Sequence, residues 1–286
     1  MDATLETPGP TTPRDAHMTI GGRRFYVREW GPPDAPPAVL LHGIIGNSHE
    51  WDTVAARLSA GRRVIVPDQR GHGATDWADD YRAGAFTDDL AALTDALSLD
   101  AFDLIGHSLG GIVATLYAAR PGSRARTLAV LDIGPETLTD PGVAAAVREM
   151  VGGLASASFQ SVDEAVAAWI EAAPRARPAE TRRWAAHCLH HRPDGTLGFT
   201  FDAARLAQFI DDGPNLRLWP ALREIPVPAL LVRGAESGML TRECAGRTVS
   251  ALPDGRLAEI ENAGHDLGVE NPHEVAAHLT RFLGIP

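Results

Sequence analysis

Cysteine is scarce in this sequence: Cys188 and Cys244 are the only two in 286 residues. Two thiols so far apart make neither a disulfide framework nor a metal cluster, so a reducing, cytoplasmic setting is expected. Positive charge is also in short supply. Lys and Arg number 26 against 37 Asp and Glu, a formal net charge of −11. Such a surface repels phosphate backbones and anionic membranes on average, so a small molecule is the expected partner, and nucleic acid and membrane are not. No apolar run approaches the roughly 18 residues of a membrane span. Residues 1–17 carry Pro8, Pro10 and Pro13 among threonines and acidic residues. They lack a signal peptide's apolar core and read as an extended or mobile leader.

What is present is a globular composition, 44% hydrophobic and 22% charged, long enough for a sizeable core. Gly21-Gly22 between the apolar stretches 18–20 and 25–30 predicts a hairpin. Apolar runs at 38–41, 64–66, 102–105 and 127–131 then alternate with helical patterns over 86–99 and 109–119. Short uninterrupted apolar strands separated by amphipathic helices predict an α/β architecture, a mostly parallel sheet covered on both faces. The rhythm breaks over 135–220, where helical patterns at 162–173 and 179–190 follow one another without strands, so a helical cap is expected there. Strands at 227–232 and 257–260 and helices at 241–251 and 272–282 restore it, which makes 18–134 and 221–286 one core.

Three segments carry chemistry. Gly106-His107-Ser108-Leu109-Gly110 lies between a strand and a helix, the setting of a nucleophile elbow, where a tight turn needs small neighbours and pushes the Ser108 hydroxyl into the open. His42-Gly43-Ile44-Ile45-Gly46 follows an earlier strand; the backbone N–H groups of Ile44 and Leu109 are the expected oxyanion donors. A serine hydroxyl needs a base. Of 11 histidines, His265 in Asn262-Ala263-Gly264-His265-Asp266 sits in a short loop after the last strand, from which it can reach across the sheet edge.

With these segments in place the sequence resembles the α/β-hydrolase superfamily from about Met18 to its end. Pro67-Asp68-Gln69-Arg70-Gly71-His72-Gly73 is similar to that superfamily's D-x-R-G-x-G loop, and the segment from Asn262 through Glu270-Asn271-Pro272 to its terminal histidine region. The resemblance implies a serine hydrolase acting through an acyl-enzyme on a small neutral or hydrophobic carboxylic ester or lactone, without metal or organic cofactor. The superfamily also hosts C–C bond hydrolases, lyases, cyclases, cofactor-free oxygenases and catalytically silent receptors. The sequence departs from the pattern at the acid, for Arg233-Gly234-Ala235-Glu236-Ser237-Gly238-Met239-Leu240 holds no Asp. Some branches take the acid from the strand after the elbow helix, which selects Asp132, with Ser237 as an auxiliary; Glu236 in the habitual loop is the alternative. His42, Trp169 and Trp184 are candidate substrate contacts, and Trp219 a further aromatic of the cap. His187 and His191 stand at a helical spacing that can bind zinc, but no third ligand is evident, and packing is the expected role.

Overall fold

A computed structural model describes residues 12–286, so most of the expected leader lies outside the described residues. Its last four positions belong to the sheet instead. Strand β1 (Arg14–Ile20) pairs antiparallel with β2 (Arg23–Trp30), from Arg14 opposite Glu29 to Ile20 opposite Arg23. Gly21 and Gly22 take φ of 57° and 81°, the left-handed pair that a two-residue hairpin turn requires.

The chain then alternates through β3 (Pro37–Leu41), α1 (Asp52–Leu58), β4 (Arg63–Pro67), α2 (Ala83–Ala96), β5 (Phe102–His107), α3 (Leu109–Ala119) and β6 (Ala125–Leu131). An insertion follows, made of α4 (Pro141–Ser156), α5 (Val162–Ala172), α6 (Pro178–Cys188), the ribbon β7 (Leu189–His191) and β8 (Leu197–Phe199), α7 (Ala203–Asp212) and α8 (Leu218–Glu224). The chain closes with β9 (Ala229–Gly234), α9 (Arg242–Ala251), β10 (Gly255–Ile260), α10 (Leu267–Glu270) and α11 (Pro272–Leu283). Eight strands form one sheet in the order β1-β2-β4-β3-β5-β6-β9-β10. Apart from β1 and β2 every pairing in it is parallel.

The central strands read as unbroken apolar runs because both their faces are covered. Residues 38–41 are each no more than 2% exposed. Val39 and Leu41 join one apolar layer, and Ala38 and Leu40 the layer on the opposite face. Ligands of such sheets bind at the carboxyl ends of the strands. The loops after β3, β5, β6, β9 and β10 all leave from that edge, beneath the insertion.

The insertion differs from the all-helical expectation. Helix α6 ends at Cys188 rather than reaching residue 190, because Leu189–His191 pairs with Leu197–Phe199. Three-residue strands are too short to print an alternating pattern. His190 and His191 therefore lie on β7 and share no helical face with His187.

Helix α3 approaches β3 and β5 at backbone distance. A Cβ on Gly110 would stand 2.4 Å from the Leu41 carbonyl oxygen, and one on Gly106 would stand 2.2 Å from the Gly110 carbonyl oxygen. Backbone cannot yield as a flexible side chain does, so Gly110→Ala is expected to cost about 1–3 kcal/mol. The readout is an earlier urea midpoint with an unchanged slope; coincident unfolding curves for variant and parent would refute it.

Candidate active site

Ser108 caps α3 with φ 51° and ψ −117°, a conformation that costs a non-glycine residue of order 1–3 kcal/mol. Surrounding bonds hold it there. Its N–H donates to the Leu131 carbonyl at 3.1 Å, and its own carbonyl accepts from Gly111 and Ile112 at 2.9 and 3.1 Å. Ser108 is 7% exposed, and its hydroxyl lies 3.0 Å from His265 Nε2. His265 Nδ1 donates to Asp132 Oδ2 at 2.9 Å. Asp132 is fully buried at the end of β6. Its other oxygen accepts from the Gly234 N–H at 2.9 Å, and Oδ2 also accepts from the Ser237 hydroxyl. Ser237 is held in turn, accepting from the N–H groups of Met239 and Leu240 at 3.1 Å. Glu236 stands elsewhere: half exposed, it pairs with Arg175 at 2.7 Å.

The remaining assignments divide. Ile44, Leu109, Trp169 and Trp184 line the cavity above Ser108. At the first position of α3 the Leu109 N–H has no intrahelical acceptor, and none of the described residues accepts from Ile44 N–H. Trp169 and Trp184 pack with ring centroids 4.6 Å apart. His42 is corrected: it is fully buried and does not line the cavity. Its Nε2 accepts from the Gln69 N–H at 2.9 Å and its Nδ1 donates to the Gly43 carbonyl at 2.8 Å. That arrangement fixes one neutral tautomer, consistent with burial pushing the imidazole's pKa down. Trp219 lies off the site, beneath Arg247 at 5.6 Å. His187 stacks flat on His49 with centroids 3.4 Å apart, joining α6 to the core.

His107 and Glu50, to which the sequence assigns no role, also line the cavity. His107, inside the elbow motif, meets Glu50 at 2.6 Å through Nδ1 and the His265 carbonyl at 2.9 Å through Nε2. Burial alone would lower the imidazole's pKa, but Glu50 and, farther off, Asp266 outweigh it and carry it up to about 9. Burial likewise would raise the Glu50 carboxyl, and His107 outweighs it, so the acid lies below its ordinary value. Glu50 also accepts from the Gly43 N–H at 3.2 Å. A buried ion pair thus ties the oxyanion loop, the elbow and the His265 loop together. The motif spacing hid His107 in a position read only as a spacer, and Glu50 lies 57 residues away.

A family model for the alpha/beta hydrolase fold matches residues 36–272. The chain belongs to the α/β-hydrolase family. It is 30% identical over 267 residues to a 2-(acetamidomethylene)succinate hydrolase of Mesorhizobium japonicum, covering 93% of this chain and 94% of that one. It is 29% identical over 283 residues to a 3-hydroxybutyrate-oligomer hydrolase of Cupriavidus necator, covering 92% and 94%. The crystal structure of an E-2-(acetamidomethylene)succinate hydrolase superposes with a TM-score of 0.85 at 27% identity, over 96% of this chain and 100% of that one. A Mycobacterium tuberculosis esterase structure superposes at 0.81 and 25% identity, over 97% and 94%. The relatives of this α/β hydrolase are enzymes, esterases among them.

His107, His265 and Asp266 bring ligand atoms within 4.8 Å of one another, but as a cation site the set is occupied. Both His107 nitrogens are engaged as donors, so a metal would have to displace Glu50 and the His265 carbonyl. The ion pair instead has a stability signature. His107 binds its proton more tightly folded, at about 9, than at its ordinary 6.5. Its contribution is therefore fully present below about pH 6.5 and lost as pH rises through about 9. Urea titrations across that window should show wild type losing stability with pH and Glu50→Gln losing less; parallel losses would exclude the pair as the source.

Proposed function

We propose that the chain is a serine hydrolase of small neutral or apolar carboxylic esters or lactones. The observation that carries this reading is the unbroken chain from the Ser108 hydroxyl through His265 to Asp132, opening into an apolar cavity of about 270 Å³. Ser108 Oγ attacks the carbonyl carbon while His265 Nε2 takes its proton. Asp132 holds the imidazole in the tautomer that leaves Nε2 free and stabilises the imidazolium that forms. The oxyanion lies between the N–H groups of Ile44 and Leu109, a contribution of roughly 3–4 kcal/mol per donor in such sites. His265 returns the proton to the leaving oxygen as the C–O bond breaks. Water, activated by the same histidine, then releases the acid from Ser108.

The cavity supports a substrate of modest size and no negative charge. Its volume exceeds the roughly 150 Å³ that admits benzene and falls below the usual range for drug-sized ligands. Neither Lys nor Arg lines it, and the charge of His107 is already matched by Glu50. The succinate in the Mesorhizobium relative's name carries two carboxylates, which would lie unpaired here at a cost of several kcal/mol. The insertion supplies Leu138, Val147, Trp169, Trp184 and Phe209 to the cavity wall, and acts as its cap.

With p-nitrophenyl esters, kcat/KM is expected to be at least about tenfold higher for butyrate than for the hemisuccinate, since one unpaired charge outweighs 1.4 kcal/mol. A hemisuccinate that reacts as well would sink the neutral-substrate reading. An alkyl phosphonate should label Ser108. Asp132→Ala should lose about two to four orders of magnitude in kcat, against less than threefold for Glu236→Ala. The reverse ranking would hand the acid's role to Glu236, and an active protein with unlabelled Ser108 would point away from acyl-enzyme chemistry.

A further inference from the structure

Among the described residues, Asp266 is the one carboxylate lining the cavity whose side chain has no hydrogen-bonded partner. It follows His265 directly and lines the cavity. It is the N-cap residue of α10, where an aspartate ordinarily accepts from the first turn, yet its side chain makes no capping bond. One of its oxygens lies within 4.8 Å of a ring nitrogen of His265 and of His107. The neighbouring polar groups are all engaged: Glu50 by His107 and Gly43, His107 by Glu50 and the His265 carbonyl, His265 by Ser108 and Asp132.

We infer that Asp266 selects the departing half of the substrate, an alcohol that carries a hydrogen-bond donor, a hydroxyl or a protonated amine, close to the ester oxygen. The inference rests on the ester-hydrolase reading above and follows from where that reaction places its atoms. His265 must come within hydrogen-bond reach of the leaving oxygen to return the proton taken from Ser108. The carbonyl oxygen points away, toward Ile44 and Leu109. A carboxylate beside the His265 ring therefore faces the atoms just beyond the leaving oxygen, not the acyl chain. The local groups select a donor: two carboxyls, Asp266 and Glu50, face one imidazole, His107, that Glu50 already engages, and no Arg lines the cavity. Burial raises the Asp266 carboxyl, an effect that His265 and His107 only partly offset. A donor on the substrate would give that carboxyl the partner it lacks, while the acyl half meets the apolar wall.

The test compares kcat/KM for propyl, 2-hydroxyethyl and 2-(dimethylamino)ethyl butyrate at neutral pH, with the full chain as wild type, Asp266→Ala and Asp266→Asn. Dividing each wild-type ratio by the Asp266→Ala ratio cancels the esters' intrinsic reactivity. A hydrogen bond to a charged group predicts a corrected preference of about 10- to 100-fold for a donor-bearing ester over the propyl ester. Asp266→Asn, whose carbonyl still accepts but carries no charge, should keep part of a hydroxyl preference and lose an ammonium one, which separates the two sources. A corrected ratio near one overturns the inference. So does an equal loss on all three esters with a displaced pH profile, which would make Asp266 a positioning residue for His265. If wild type hydrolyses none of the three and phosphonate leaves Ser108 unlabelled, the ester-hydrolase reading fails and the inference falls with it; turnover with a ratio near one removes the inference alone.

Discussion

Ser108 is held at φ 51° and ψ −117°, and the hydrogen bonds that enforce this strained turn also align the rest of the site. Its N–H reaches the last residue of β6, Leu131, while the Gly110 N–H reaches the His42 carbonyl just past β3 at 3.2 Å. One residue on, the Asp132 N–H donates to Val232 of β9 at 2.8 Å. Ser108, the 42–46 loop and Asp132 are thereby indexed to the ends of adjacent strands. Asp132 itself has φ 50°, so two of the three side chains in the Ser108–His265–Asp132 chain project from backbone with positive φ. Such strain persists only where the surroundings over-determine it, and a sheet whose central strands are buried on both faces supplies that rigidity.

Electrostatics completes what the strands begin. Three buried or nearly buried carboxylates each accept the backbone N–H of a glycine in a site loop: Asp132 from Gly234, Glu50 from Gly43, Glu270 from Gly264. Glycine suits two of these positions because a side chain would not fit: a Cβ on Gly234 would stand 2.0 Å from the Gly264 carbonyl oxygen, and one on Gly264 3.0 Å from Glu270 Oε1. Asp68 does similar work nearby, accepting from the N–H groups of Ser48 and Ala74 at 2.7 and 2.9 Å. Charge-assisted bonds of this kind are about twice as strong as neutral ones. Part of the chain's surplus of acidic residues therefore serves as internal acceptors for loop amides.

This arrangement explains which parts of the molecule were legible in the sequence. The elbow, the oxyanion loop and the His265 loop are local patterns, since each needs particular residues at adjacent positions. The βαβ rhythm is legible because double-sided burial writes apolar runs. The acid was left between Asp132 and Glu236 because the deciding contacts are not local: Glu236 is drawn off by Arg175, 61 residues away, while Gly234 and Ser237 fasten Asp132 across more than a hundred. His42 was misread for the same reason. Its partner Gln69 lies 27 residues on, and a histidine beside an oxyanion loop carries no local mark distinguishing a buried brace from a substrate contact.

The insertion takes part in the site rather than merely covering it. Arg175, between α5 and α6, bonds both Glu236, next to Ser237, and Glu270, which holds Gly264 next to His265. The first contact is half exposed and weak by the usual measure of surface ion pairs. The second meets a carboxylate only 6% exposed, where screening by water is less effective. A second anchor lies on α6 itself, where Glu180 and Arg183 bond Thr53 and His187 stacks on His49. Through these contacts the insertion is bonded to the loop that carries Ser237 and to the one that carries His265. The cavity wall contributed by α4, α5, α6 and α7 is therefore joined, through Arg175, to the segments on either side of Asp132 and His265.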